Sequence, residues 1–343
     1  MIKIKLSDPD DIKSFSGLIL SKDILPNYSI ELTTSNDYDY EFISQKRFLD
    51  LSISLQESID KGLEYLSKIS GDYFLFSGAD STSLAGVYEI FSQSNAQYLF
   101  KKQMLSQNDY KEKTILNKWF FGEGSILDRG YDIPNDVFNK IKLTGYNVAH
   151  NWPHLQQMHS GNTVRDIDVC AVYQGDPKRE IYDHEVRSDL LYSNHRVGAW
   201  NKLSEIENKY NIVKGQSSPQ QFVDIMKRSK IGLSPFGMGE LCYRDLELIQ
   251  WGCLLIKPDM SKVITAPDFF KPMETYVPVK LDWSNLNEVI QDILENFKNY
   301  EHIIENSRKQ VIEMYSYHNV CLHWYNFFSQ LNNIKDENSL FLG

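Results

Sequence analysis

The chain has 343 residues, 42% hydrophobic and 24% charged, the balance of an ordinary globular protein long enough for two cored domains. Acidic residues outnumber basic ones 46 to 36, and the net charge of −10 argues against a general binder of nucleic acid or anionic membranes. No run approaches the roughly 18 apolar residues of a membrane span, and Met1-Ile2-Lys3-Ile4-Lys5 is not followed by a signal-peptide apolar region.

Cys170, Cys242, Cys253 and Cys321 are widely spread, three of them in apolar runs, and read as reduced core residues. The expected location is cytoplasmic, with peripheral attachment at the inner membrane face as a variant.

From the N-terminus, Ile2–Leu6 alternates as a strand does, Asp8-Pro9-Asp10-Asp11 turns into a short helix, and Ser29–Thr33 is a second strand candidate. No clear periodic helix precedes Phe48. Leu55, Ile59, Leu63 and Leu66 then mark a helix that Gly71 ends. Tyr73–Phe76 reads as a buried strand, Asp80 or Ser81 as the cap of a helix to about Ser92, and Gln97–Phe100 as the next strand. This alternation predicts a parallel sheet with crossover helices.

Residues 101–139 are polar and irregular. The connection between two domains is expected over Val148–His154 and Ser160–Asn162. Asp166–Tyr173 opens the second domain as a strand. His195-Arg196 starts a helix running to about Tyr210, where a cation opposes the helix dipole and so favours a bound anion. Asn211–Lys214 is a strand, and Ser217 or Ser218 caps a helix with Pro219 in its first turn.

The most informative stretch is Lys230–Pro258. Ile231–Ser234 is a short strand, Gly237 and Gly239 flank a tight turn, a helix opens at about Glu240 and closes at Gly252, and Cys253–Ile256 is another strand. Cys242, Leu246 and Ile249 form the apolar stripe of that helix. Glu240, Arg244, Glu247 and Trp251 share another face. As a solvated face it would carry Glu240–Arg244 and Arg244–Glu247 pairs worth roughly 0.2–0.5 kcal/mol each. As the face beyond a glycine loop at a strand's carboxyl end, it suits phosphate and sugar hydroxyls.

This stretch resembles the donor-site motif of GT-B glycosyltransferases, in particular the exostosin-like and bacterial family 1 groups. The matching residues are Gly239, Cys242, Arg244, Glu247, Gly252 and Cys253, and the resemblance is clearest over about Ile212–Val279. It implies two Rossmann-like parallel-sheet α/β domains facing across a cleft: an acceptor-side domain over 1–160, a nucleotide-sugar-binding domain over 161–320, and a terminal helix over 321–343 packing back on the first. It also implies that Glu247 binds the ribose and Arg244 lies near the phosphates. Glu240 to Glu247 is one residue short of the retaining E-x7-E spacing, which leaves the inverting or retaining outcome open.

The expected function is metal-independent transfer of a sugar from a nucleotide-sugar to a glycan or lipid-linked glycan, as in cell-surface polysaccharide synthesis. It needs no cofactor and no nucleic acid. The donor-binding candidates are Gly237, Gly239, Glu240, Arg244, Glu247, Lys257 and Arg196; the catalytic candidates are Asp80 and His150.

Two other classes stay open. One is a module that binds a nucleotide-sugar or carbohydrate without turnover. The other is a PP-loop ATP pyrophosphatase, because Ser77-Gly78-Ala79-Asp80-Ser81-Thr82 is similar to the phosphate loop of that family, one residue and one glycine short. A plain helix cap explains the same residues. Asp166-x-Asp168, Asp8-Pro9-Asp10 and Asp37-Tyr38-Asp39 are chance-level metal triplets, and no metal site is expected from them.

Overall fold

The computed structural model describes every residue except 51, 79–80, 113–129, 145–163, 174–192, 238 and 342–343. Numbered in chain order, β1 (Ile2–Leu6), β2 (Ile30–Thr33), β3 (Tyr40–Ser44), β4 (Tyr73–Ser77) and β5 (Tyr98–Lys101) are followed by a short β6 (Gln103–Met104) and by β7 (Ile141–Leu143). All but β6 form one parallel sheet in the order β2-β1-β3-β4-β5-β7. Every residue of β3 and β4 is buried, as expected of strands covered on both faces.

The second sheet is built from β8 (Ile167–Val172), β9 (Ile212–Gly215), β10 (Ser229–Leu233) and β11 (Leu254–Pro258). After β12 (Ile264–Thr265) comes its last strand, β13 (Val277–Val279). The sheet is parallel, in the order β13-β11-β10-β8-β9. Counted within each sheet, both show the doubly wound order 2-1-3-4-5, with β7 added at the end of the first. In that order the winding reverses between the first and third strands, which opens a crevice at their carboxyl ends. Two parallel-sheet α/β halves with a cavity lined from both are what the sequence leads one to expect.

Two features join the halves. β6 pairs antiparallel with β12, Met104 opposite Ile264 and Gln103 opposite Thr265. The last helix, Tyr317–Phe341, lays its aromatic face on the first sheet: Phe328 lies 5.4 Å from Tyr40, Trp324 5.1 Å from Phe100 and Phe327 5.2 Å from Tyr98. The core around Phe42, Phe74 and Phe100 continues without a break to Leu246, Leu248 and Leu255 of the second half. A separate cluster, which includes Val169, Ile231, Leu254 and Ile290, fills the other side of the second sheet.

The short helix expected after Asp8-Pro9-Asp10-Asp11 is in place at Ile12–Leu20, although no helical period in the sequence marks it. Its buried face includes Ser14 and Ser16, which hide the apolar stripe in the sequence. Some elements differ from expectation. The helix expected to be capped by Asp80 or Ser81 begins only at Val87, after Gly86 at φ +75°. The helix from His195 ends at Ser204, short of Tyr210. Residues 101–139 include short helices at Gln107–Lys111 and Asn135–Phe138. The expected connection over 148–160 lies outside the described residues.

Candidate functional site

A cavity of about 660 Å³ opens between the halves. Lys102 and Gln103 line it from the first half. From the second come Val172 and Tyr173 at the end of β8, Gly237 and Gly239 after β10, Gln216, Ser217, Pro219 and Phe222 beyond β9, and Arg196, Tyr243, Arg244 and Glu247. Because β8 and β10 are adjacent and wind in opposite directions, the cavity occupies the switch point of the second sheet.

The helix carrying Arg244 and Glu247 runs from Tyr243 to Gln250 and not from Glu240. The reason is Asp245. Its carboxylate accepts from the backbone of Cys242 at 3.0 Å, so Cys242, itself extended, becomes the N-cap and the residues before it stay outside the helix. The same carboxylate accepts from Ser234 Oγ at 2.6 Å and pairs with Lys257 Nζ at 2.9 Å, with both side chains of that pair fully buried. Gly232 lets the helix lie tightly on β10, since a Cβ there would come within 2.4 Å of Leu248. Gly252 ends the helix at φ +77°.

Arg244 therefore stands in the first turn, where a cation opposes the helix dipole unless an anion shares the site. Its guanidinium lies over the Tyr173 ring at 4.9 Å, and that of Arg196 approaches the same ring at 5.9 Å. Arg196 is buried, donates from Nε to the Phe236 carbonyl at 3.0 Å and accepts at its own carbonyl from the Tyr173 hydroxyl at 3.1 Å. Tyr173 stacks flat on Trp200, 4.9 Å between centroids, and burial raises its phenol pKa, so it stays a neutral donor. Gly237 leaves room for these side chains: a Cβ would stand 3.0 Å from Arg196 Nη2 and 3.2 Å from Cys242 Sγ, and both would have to give way by a few tenths of an ångström.

His195 supports this loop from beneath. It is buried between Phe236 and Trp283, and its Nε2 accepts from the Phe236 backbone at 3.1 Å. Burial, with Arg196 and Lys257 nearby, pushes its pKa down to about 3. The ring is thus neutral, with its proton on Nδ1.

The structure gathers Gly237, Gly239, Arg244, Glu247 and Arg196 around one cavity and places two other candidates elsewhere. Lys257 lies beneath the loop, paired with Asp245 and 4.9 Å from the Phe236 ring centroid. Glu240 is fully buried and faces the first half, where Thr82 and Gln103 donate to it. Asp80 and His150 lie outside the described residues.

Asp166 pairs with Arg228, and Asp168 pairs with Lys230, at the amino end of β8 and away from the cleft. No group of three metal-ligating side chains occurs among the described residues. The ATP-loop resemblance meets a geometric obstacle: a phosphate loop needs a helix N-terminus directly after it, whereas the Val87–Gln93 helix starts five residues beyond Thr82.

Tyr173, Gln103 and Asp245 are missing from the sequence-based candidates, and His195, read with Arg196 as a cationic helix start, is a buried neutral support instead. Tyr173 had a signal, as the last residue of a strand ending at the switch point. Gln103 had none, because its partners are 137 and 138 residues away.

The chain matches no protein-family model and no curated protein. Among solved structures it is similar to sucrose-phosphate synthase from Thermosynechococcus elongatus, with 14% identity and a TM-score of 0.49 over 97% of this chain and 100% of that one. Anabaena HepE in complex with UDP-glucose gives 9% and 0.48 over 96% and 100%. An α-glucosyltransferase in complex with UDP-glucose and abasic-site DNA gives 11% and 0.46 over 96% and 99%. Likeness at this level is one of outline, and what the cavity binds has to be read from its own residues.

Proposed function

We propose that the cavity binds the diphosphate and ribose of a nucleotide-sugar, and that the chain transfers the sugar to a glycan hydroxyl presented from the first half. The observation carrying this reading is the convergence of Arg196 and Arg244 on Tyr173, at the switch point of a parallel sheet, with Glu247 one helical turn on beside the same cavity. Two guanidiniums and a helix N-terminus neutralise the charge that develops on the leaving diphosphate as the sugar's C1–O bond breaks and the acceptor's C1–O bond forms. Glu247 accepts from the ribose hydroxyls. Lys102 and Gln103 bring the first half to the rim of the same cavity, where an acceptor would enter. A base that takes the acceptor's proton would come from that half, and Asp80 and His150 remain its candidates.

The test is a panel of nucleoside diphosphates and nucleotide-sugars, titrated by calorimetry into the parent, Glu247→Gln and Arg244→Ala. One or more nucleotides should bind the parent. Glu247→Gln should lose roughly 1.5–3 kcal/mol of that binding while keeping its melting temperature. Parent-like binding by both variants would overturn the site. Transfer should survive EDTA, because Arg196, Arg244 and the helix N-terminus supply the positive charge. Loss of turnover in chelator, restored by Mg²⁺ or Mn²⁺, would overturn that part. Pyrophosphate release from ATP would favour the pyrophosphatase class, and tight binding without transfer to any acceptor would favour the binding module.

A further inference from the structure

The seam between the halves is polar where it meets the glycine loop. Glu240 Oε1 accepts from Thr82 Oγ1 at 2.9 Å, and its Oε2 accepts from the Thr82 backbone at 3.1 Å and from Gln103 Nε2 at 2.8 Å. The other end of the Gln103 amide, Oε1, accepts from the Leu241 backbone at 2.9 Å. Gln103 is 1% exposed and stands on β6, the strand that pairs with β12 of the far half. One amide of the first half thus holds two consecutive residues of the second. They lie between Gly239 and Cys242, the N-cap of the helix that presents Arg244 and Glu247.

We propose that Gln103 is a positioning residue for the donor site: from the opposite half it sets the path of Gly239–Leu241, so that the loop takes its nucleotide-binding shape only while the seam is closed. This rests on reading the cavity as a nucleoside-diphosphate site. Gly237 and Gly239 give the loop little conformational preference of its own, so its contacts decide its shape. Gln103 supplies two of them: the bond to Glu240 is buried, where a lost partner leaves a polar group without solvent, and the bond to Leu241 is partly buried. Without Gln103, the fully buried Glu240 carboxylate loses its cross-seam amide donor, and the Leu241 N–H loses its acceptor. Opening the seam or refolding the loop relieves both, and either moves the helix N-terminus away from the diphosphate. Coupling is reciprocal, so a bound nucleotide also tightens the seam.

The test is hydrogen exchange by mass spectrometry on the full chain, with and without saturating UDP, GDP or ADP, together with calorimetric affinities. Gln103→Met keeps the side chain's length but makes neither bond. Without ligand, exchange over 239–243 should rise about tenfold in this variant, while β3, β4 and β10 stay as protected as in the parent. Nucleotide affinity should fall about tenfold, and the donor KM should rise by more than kcat falls. The double variant Gln103→Met/Glu240→Met removes the stranded carboxylate as well. It should recover part of the melting temperature lost in Gln103→Met but none of the affinity, which a purely structural role for Gln103 does not predict. In the parent, nucleotide should slow exchange at Gln103–Met104.

Parent-like exchange over 239–243 in Gln103→Met, or parent-like affinity with a lowered melting temperature, would overturn the proposal. If the parent binds none of the three nucleotides, the reading of the cavity fails instead. The ligand-free exchange then decides by itself whether Gln103 holds the loop.

Discussion

His195 shows how one buried side chain ties the loop's shape to pH. Its folded pKa of about 3 lies below the ordinary histidine value near 6.5, chiefly through burial. As pH falls through 6.5 the unfolded chain takes up a proton that the folded one refuses. The contribution is complete above 6.5 and is lost towards 3, at about 1.4 kcal/mol per pH unit. Urea unfolding between pH 7 and pH 4 should show this slope in the parent and a shallower one in His195→Asn, which cannot titrate. An identical slope in both would place the acid sensitivity elsewhere. Gly237 makes a complementary case. A Cβ there would crowd Arg196 Nη2 and Cys242 Sγ. Gly237→Ala should therefore weaken nucleotide binding several-fold with a smaller effect on melting temperature, because the guanidinium can swing aside and leave the site.

The helix Tyr243–Gln250 is held at its start by a single carboxylate. Asp245 caps Cys242, accepts from Ser234 and neutralises Lys257, all out of contact with water. Removing one partner of a buried ion pair leaves an uncompensated charge, which typically costs 3–5 kcal/mol. Asp245→Asn should lose about that much stability in chemical denaturation. Asp245→Asn/Lys257→Met, which leaves no ammonium behind, should lose clearly less. Equal losses in the two would mean that the cap and the Ser234 bond, rather than the ion pair, carry Asp245's contribution. The same helix shows how sequence face and structural role diverge: Arg244 and Glu247 line the cavity, while Glu240, expected on their face, lies before the helix and points across the seam.

Across the whole molecule, the halves are joined by the β6–β12 ribbon, the Glu240 contacts and an aromatic last helix. Trp324 is 1% exposed and packs on Phe42, Phe76 and Phe100 of the first sheet. Trp324→Ala should cost about 3–5 kcal/mol. If the final helix matters to the first sheet alone, nucleotide affinity in the folded variant should match the parent's. A large loss of affinity in a folded Trp324→Ala protein would show that the helix also sets the angle of the cleft. No described helix is long and apolar enough to cross a membrane.

Much of this was legible in the sequence because it depends on neighbours along the chain. The alternation of short apolar runs with helical periods predicted a parallel sheet, the family resemblance implied a second, and the Ser218–Pro219 cap starts its helix where the residues say it should. The pattern from Gly239 to Gly252 placed Arg244 and Glu247 on a polar face opposite Leu246 and Ile249. What the sequence could not determine are pairings made across large separations. Charge and position made Lys257 look like a phosphate ligand, but burial beside Asp245 turned it into a structural cation. Glu240 looked like part of a helix face until Asp245 made Cys242, two residues on, the cap. Gln103 carried no signal, because an amide becomes a positioning group only when the fold brings residues 103, 240 and 241 together. Periodicity and capping are local and written in order along the chain. Which buried polar groups meet is settled only by tertiary packing, since the cost of leaving any one of them unpaired depends on all the others around it.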